Sequence, residues 1–117
     1  MKRFFIAACF AVALLGCTTT PSQPKKIRIN VEMSVSPENR AALMDNLLHL
    51  AEASRAEQGC IGYEIYENSR DSSRVLIVET WESDAALSAH QQTEHFKSRA
   101  PKNGTLSSSS ELLKFEF

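Results

Sequence analysis

The segment over residues 74–82 constrains the fold more than any other part of the chain. Its apolar residues would lie on both sides of a strand, since Val75 and Ile77 alternate with Leu76 and Val78. Successive side chains of a strand point to opposite faces of a sheet. Both faces of this predicted strand therefore need apolar cover, which calls for helices on one side and a second copy of the chain on the other.

The remaining sequence between residues 27 and 117 alternates between strand and helix patterns. Apolar residues at every second position predict a first strand over 27–35 and a last strand over 112–117. Ser36 and Pro37 supply an N-cap and a first-turn proline for a long helix. The other predicted elements are a strand over 60–67, a hairpin loop over 68–73, a helix over 85–92, a short helical turn over 93–99 and a mobile polar loop over 101–110. The order βαββαβ predicts an α+β ferredoxin-like sandwich with an antiparallel sheet.

Spacing also predicts which side chains of the long helix and the second strand face the core. The buried stripe of the helix is expected to hold Leu43, Leu47, Leu50, Ala51 and Ser54, widened by Met44 and Leu48, while Asp45, Asn46 and His49 point elsewhere. The second strand is expected to place Ile61, Tyr63 and Ile65 on one face and Cys60, Glu64 and Tyr66 on the other.

The first 17 residues have the pattern of a bacterial lipoprotein signal. Lys2 and Arg3 precede an apolar run over residues 4–15, which is too short to span a bilayer as a stable helix. The run ends in Leu14-Leu15-Gly16-Cys17, which resembles the site cut by the lipoprotein signal peptidase. The pattern predicts removal of residues 1–16 and lipidation of Cys17. The alternative is an ordinary secretory signal with a chance cysteine.

The predicted mature chain consists of a tether over residues 17–26 and one domain over residues 27–117. The tether has two prolines and nothing apolar to bury after its first residue. The signal predicts a lipid-anchored protein of the cell envelope. Because Thr18 rather than aspartate follows the cysteine, the expected destination in a Gram-negative cell is the periplasmic side of the outer membrane.

Charge and cysteine content exclude two classes of interaction. Without Lys2 and Arg3, 11 basic residues stand against 14 acidic ones, a formal charge of −3, so no attraction to nucleic acid is expected. Once Cys9 is removed and Cys17 is lipidated, Cys60 is the only thiol left. No internal disulfide is therefore expected, and Cys60 is interpreted as a small packed residue rather than a nucleophile.

Three motifs follow one another along the predicted domain. They are Glu57-x-Gly59-Cys60-x-x-Tyr63, Glu79-x-Trp81-Glu82-Ser83 and His90-x-x-x-x-His95-Phe96. In this order and spacing they resemble the antibiotic-biosynthesis monooxygenase (ABM) family, over essentially all of residues 27–117. The resemblance implies a dimeric ferredoxin-like fold with a cavity between the sheet and the helices of each subunit.

The resemblance alone does not fix the reaction, because that family includes cofactor-free quinol and polyketide monooxygenases, haem-degrading enzymes and isomerases of phosphorylated signals. Haem-degrading members carry a tryptophan and a haem-ligating histidine where this chain has His90 and Ala100, so haem cleavage is not expected. The isomerases look closer around His90 and His95, but their cytoplasmic substrate would not normally meet a lipoprotein. The resemblance therefore implies a cofactor-independent monooxygenase that takes molecular oxygen and a small aromatic or quinol-like molecule. The alternative is a non-catalytic small-molecule-binding or stress-related lipoprotein.

His90 is the candidate general base of such a reaction. It lies three residues after Leu87 and four after Ala86, on the expected inward face of the second helix. Histidine suits this role because its unperturbed pKa lies near working pH. The alternative for His90 is a structural histidine with satisfied hydrogen bonds on the same face.

Candidate substrate-binding residues are Asn30, Tyr63, Trp81, His95 and Phe96. The resemblance implies a pocket asparagine near Asn30. Tyr63 and Trp81 lie on strands that could line a cavity, with the core as the alternative, and His95 could instead cap backbone carbonyls.

Two further expectations concern carboxylates and metals. Glu79 shares a face with Trp81 and could orient a histidine, or else pair with Arg74 or a dimer partner. No metal site is predicted, because His90 and His95 are five residues apart and no cysteine or carboxylate set completes a site. A cavity lined by His90, Trp81 and Tyr63 would favour the enzyme over the binding protein.

Overall fold

The computed structural model describes residues 21–117; the predicted signal peptide and the predicted lipidation site at Cys17 lie outside this range. The elements are β1 (Ile27–Ser34), α1 (Pro37–Arg55), β2 (Cys60–Glu67), β3 (Arg74–Trp81), α2 (Asp84–Gln91), α3 (Glu94–Leu106) and β4 (Ser109–Glu116). Within the described range, no helix has the length and apolar character needed to cross a membrane.

The four strands form one antiparallel sheet in the order β2-β3-β1-β4. At the centre of the sheet Val31 of β1 lies opposite Ile77 of β3 on one side and Leu112 of β4 on the other. This arrangement confirms the predicted ferredoxin-like α+β fold, with one more helix than the sequence pattern indicates.

The two faces of the sheet have different surroundings, as the apolar pattern of the third strand predicts. The core under the helices contains Ile27, Ile29, Val31, Met33, Val75 and Ile77 from β1 and β3, packed with Leu43, Leu47 and Leu50 of α1. The opposite face carries Leu76 and Val78, which are half-buried, and Leu113 and Phe115, which are exposed. Among the described residues no second layer covers that face.

Helix α3 contains the predicted helical turn over 93–99 and continues through most of the segment predicted as a mobile loop. The turn was thus helical as predicted but too short, and the prediction of a mobile loop over 101–110 was wrong, since residues 109 and 110 belong to β4. The helix continues through Pro101 and ends at Leu106, which packs against the core. Asn46 of α1 donates to the carbonyl of Arg99 at 2.9 Å and to Oδ1 of the buried Asn103 at 2.7 Å. These long-range contacts stabilise a helix that local composition disfavours.

The structure differs from the prediction in which side chains of β2 and α1 face the core. A β-bulge between Cys60 and Gly62 places Cys60 opposite Trp81, on the same side as Tyr63, and leaves Ile61 half exposed to solvent. On α1, Leu48 is exposed whereas Asn46 is buried. The bulge shifts the period-two pattern by one residue, and the partners of Asn46 on α3 explain why an amide occupies a buried position.

The last strand begins three residues before the predicted start. Ser109, Ser110 and Glu111 pair with β1 opposite Ser34, Met33 and Glu32. All eight residues of β4 are exposed, so this edge strand is defined by its backbone pairing rather than by an apolar pattern.

Candidate functional site

His90 lies in the last turn of α2 and is enclosed by aromatic rings. The helix starts at the N-cap Ser83, whose hydroxyl accepts from the backbone N–H of Ala86 at 3.1 Å. Only 1% of the surface of His90 is exposed. Its ring centroid lies 4.5 Å from that of Trp81 and 4.8 Å from that of Phe96, which meets it edge-on. The predicted inward position of His90 is therefore confirmed.

A carboxylate from a different part of the chain binds this imidazole. Glu57, in the connection between α1 and β2, places Oε1 at 2.7 Å from Nδ1 of His90 and 2.5 Å from Nε2 of His95. An ionised carboxylate only accepts hydrogen bonds, so both imidazole nitrogens that face it are donors. Glu57, His90 and His95, hereafter the triad, thus join three separate elements of the fold.

The contact with Glu57 sets the tautomer of neutral His90. With the proton on Nδ1, Nε2 carries a lone pair, and Nε2 is buried with no hydrogen-bond partner among the described residues. Buried polar atoms are rarely left unpaired, because an unmade hydrogen bond costs about 1–3 kcal/mol. An unpartnered acceptor at this position is suited to a ligand that donates a proton.

Gly59 allows Glu57 to approach α2. Its φ is +87°, a left-handed conformation that glycine adopts without a Cβ clash. A Cβ at this position would lie 2.6 Å from Cβ of Ala86. The carbonyl of Gly59 also accepts from the backbone N–H of Glu82 at 2.9 Å. The glycine therefore fixes the connection against the start of α2, with Glu57 within reach of the histidines.

Glu79 forms a second buried polar contact beside His90. Its Oε2 accepts from Nε1 of Trp81 at 3.0 Å, so Glu79 bonds the tryptophan and does not orient a histidine. Burial raises the pKa of Glu79, and the hydrogen bond from Trp81 offsets only part of this effect. Burial and then the neighbouring Glu79 carboxylate raise the pKa of Tyr63.

A cavity of about 340 Å³ lies beside His90, between the helices and the β1–β4 side of the sheet. Its apolar wall consists of Ile29, Leu87, Phe96 and Leu112, and its polar lining includes His90, Glu79, Asp84 and Lys114. Nζ of Lys114 contacts a carboxylate oxygen of Asp84 at 2.5 Å. The volume is at the small end of the range for ligand pockets, about 300–1,000 Å³, so a single small molecule would fit.

The predicted site residues occupy four different places. His90 and Phe96 line the cavity, whereas Tyr63 and Trp81 are buried in the core and do not line it. His95 lies outside the cavity, and Glu57 links it to His90, which lines the cavity. Asn30 is on the opposite face of the sheet, in a shallow cleft with Arg28, Phe115 and Phe117. The cavity is thus lined by only part of the predicted set.

Sequence reasoning missed the role of Glu57, whereas it predicted a packed Cys60 correctly. Glu57 is the first residue of the motif that ends in Tyr63, which was the available signal. Cys60 packs against the core, and burial raises the pKa of its thiol, in keeping with a packed residue rather than a nucleophile. The three ligand atoms of the triad lie within 4.8 Å of one another, which is the spacing of a candidate metal site.

Comparison with known proteins gives related sequences and folds. The sequence model of the family described as antibiotic biosynthesis monooxygenase matches residues 26–100. YcnE of Bacillus subtilis (strain 168), named as a candidate monooxygenase, is 29% identical over 80 residues, which are 68% of this chain and 84% of YcnE.

Solved structures match over most of their own length. A conserved protein of unknown function from Bacteroides thetaiotaomicron, described as a candidate oxidoreductase, is 34% identical with a TM-score of 0.76, over 80% of this chain and 98% of that one. A candidate antibiotic biosynthesis monooxygenase from Deinococcus radiodurans is 25% identical with a TM-score of 0.72, over 78% of this chain and 91% of that one.

Proposed function

This chain belongs to the antibiotic biosynthesis monooxygenase family, and we propose that it is a cofactor-independent monooxygenase acting on a small aromatic or quinol-like molecule at the cell envelope. The observation that carries the proposal is the unpartnered Nε2 of His90, held by the contact of Nδ1 with Glu57. The envelope location rests on the signal pattern that ends at Cys17.

His90 is the general base in this proposal. A hydroxyl of the substrate donates its proton to Nε2, and the ring becomes an imidazolium. The carboxylate of Glu57, 2.7 Å from Nδ1, stabilises that positive charge and keeps the ring from turning. Glu57 does not touch the cavity, so it is a positioning residue.

The deprotonated substrate supplies the electrons for oxygen. One electron passes from the phenolate or enolate to O₂, and the resulting radical and superoxide combine to form a C–O bond. The resulting peroxide anion takes back the proton from His90 and becomes a hydroperoxide. Loss of water from it breaks the O–O bond and the C–H bond at the same carbon, whose proton joins the departing hydroxide, and leaves a carbonyl. The balance is AH₂ + O₂ → A=O + H₂O, so no external reductant is needed.

The cavity supplies the surroundings that such a reaction requires. Phe96 and Leu87 offer apolar contact to a flat ring and limit the access of water, which protects reactive oxygen intermediates. Lys114 and Asp84 are the charged pair at the β4 side, 2.5 Å apart, where polar substituents of the ring would lie. These features support a small cyclic substrate with at least one ionisable hydroxyl.

Oxygen uptake by the purified full chain against a panel of quinols and catechols tests the proposal. His90→Gln is expected to lower the rate by about 10²–10⁴, the usual contribution of a positioned base. His49→Gln is the matched control, because His49 is exposed on α1, does not line the cavity and bonds to Asp45 one turn earlier. Circular dichroism checks that both variants are folded.

Two results would count against this function. Wild-type turnover by His90→Gln would remove His90 as the base. Saturable binding of quinols by the wild-type chain without any oxygen uptake would favour the small-molecule-binding lipoprotein instead.

A further inference from the structure

The triad is a set of three ligands from three separate elements. Glu57 comes from the α1–β2 connection, His90 from α2 and His95 from α3, and the side chain of His95 is 26% exposed. Oε1 of Glu57 lies 2.7 Å from Nδ1 of His90 and 2.5 Å from Nε2 of His95. A group bound between these atoms would therefore be reachable from solvent on the side of His95.

The donor chemistry selects a class of ion. Two imidazole nitrogens with one carboxylate oxygen suit borderline transition ions such as Zn²⁺, whereas Mg²⁺ and Ca²⁺ prefer oxygen ligands throughout. An open Zn²⁺ site commonly has three protein ligands with water in the fourth position. The exposure beside His95 leaves room for that water.

The spacing requires only small side-chain movements. Bonds of about 2.1 Å to a tetrahedral ion place ligand atoms about 3.4 Å apart. The three ligand atoms here all lie within 4.8 Å of one another, and the two contacts with Glu57 are shorter than 3 Å. Rotation of the partly exposed His95 and a slight opening around Glu57 would bring the three atoms to that separation.

We propose that the triad is a binding site for one Zn²⁺-class divalent ion. The ion takes the lone pair of Nδ1 of His90, so the proton of the neutral ring moves to Nε2. In that state Nε2 has no lone pair for a substrate proton. The ion-bound triad and the general base are thus two alternative states of the same histidine. The consequence for catalysis rests on the proposed function: binding of the ion switches the base off.

Titration of the purified full chain with Zn²⁺ by calorimetry tests the proposal without any activity measurement. One equivalent is expected to bind, and His95→Gln and Glu57→Gln should each weaken binding at least tenfold. His49→Gln is the control, since it removes an exposed histidine that is not part of the triad and lies 3.5 Å from the Asp45 carboxylate. Substitution with Co²⁺ gives a second readout, because visible absorption bands report nitrogen and oxygen ligands in a low-symmetry site.

The variants also distinguish Zn²⁺ binding at the triad from Zn²⁺ binding by the cysteine thiols of the chain. His95→Gln keeps Cys60 and the other cysteines, so Zn²⁺ binding through sulfur would survive in it unchanged. Unchanged affinity in His95→Gln, or no saturable binding in the wild type, would overturn the proposal. Loss of the Zn²⁺ equivalent in both triad variants and its retention in His49→Gln would support it, whether or not oxygen uptake is found.

Discussion

Replacing Gly59 with alanine tests how the α1–β2 connection is held against α2. The residue has a φ of +87°, and an alanine Cβ there would lie 2.6 Å from Cβ of Ala86. The left-handed conformation costs a residue with a Cβ about 1–2 kcal/mol. Overpacking against the first turn of α2 adds about 1–3 kcal/mol. The free energy of unfolding is therefore expected to fall by about 2–5 kcal/mol.

The chain offers a matched control for this substitution. Gly104 lies within α3, and a Cβ added there meets nothing within 4 Å. Gly104→Ala is expected to stabilise the protein by about 0.5–1 kcal/mol, because alanine has the higher helix propensity. The same chemical change should thus have opposite signs at the two glycines.

Urea unfolding followed by the fluorescence of Trp81, the single tryptophan of the chain, measures both effects. A double variant with Ala86→Gly separates the clash from the backbone strain. In that background the cost of Gly59→Ala should drop by the overpacking part, leaving about 1–2 kcal/mol. A Gly59→Ala variant within 0.5 kcal/mol of the wild type would refute the reasoning, as would an equal cost in both backgrounds.

Three further predictions concern the anchor, the open face of the sheet and a buried carboxyl. Labelled fatty acid should enter the wild type but not Cys17→Ser, and equal labelling of both would contradict a lipid anchor at Cys17. The wild type should be a homodimer, joined through the open face of the sheet, when its mass is measured by light scattering. Leu76→Asp should give a monomer, because a new charge in an interface costs several kcal/mol, whereas Leu48→Asp, at an exposed position of α1, should leave the dimer intact. A monomeric wild type would rule the dimer out. Burial raises the pKa of Glu79, so the folded protein binds the proton of this carboxyl more tightly than the unfolded chain does. The protonated carboxyl therefore contributes stability below the pKa that Glu79 has in the unfolded chain. This contribution is lost as the pH rises through the higher pKa of the folded protein. Glu79→Gln, which can still accept from Trp81, should therefore gain stability relative to the wild type between pH 4 and neutral, as measured by urea unfolding, and a constant difference across this range would contradict the shift.

Strong local periodicity predicted the parts of the fold that depend on one buried face. The alternation that begins at Ile27 and the two-sided apolar pattern of Val75 and Leu76 gave β1 and β3 correctly, because burial of alternate residues in a sheet leaves a direct sequence signature. Helix α3 has no such signature. It depends on Asn46, more than 50 residues away from Arg99 and Asn103, and a contact at that sequence distance cannot be read from local composition.

The candidate site divides in the same way. His90 was predicted from its position relative to Leu87, since neighbours on one helix face are set by the helical repeat. The sequence predicted Trp81 and Tyr63 either in the core or in the wall of a cavity. It could not separate the two, because strand alternation gives the face on which a side chain lies but not its distance from a cavity. Their burial behind His90 depends on the packing of α2 against β3, which the sequence does not encode locally.

Glu57, the hydrogen-bond partner of His90, was not predicted from the sequence. It lies in a connection without periodicity, 33 residues before His90 and 38 before His95. Only the left-handed Gly59 brings it to α2, so its role depends on a backbone conformation rather than on its own spacing. The contact between Glu57 and Nδ1 of His90 also determines which nitrogen of His90 can accept a proton. When Glu57 keeps the proton on Nδ1, Nε2 is free to accept a proton from the substrate. In the proposed ion-bound state the ion occupies Nδ1 and the displaced proton is on Nε2. The tautomer of His90 is therefore the quantity that separates the two states, and nitrogen NMR of the imidazole, with and without Zn²⁺, measures it directly.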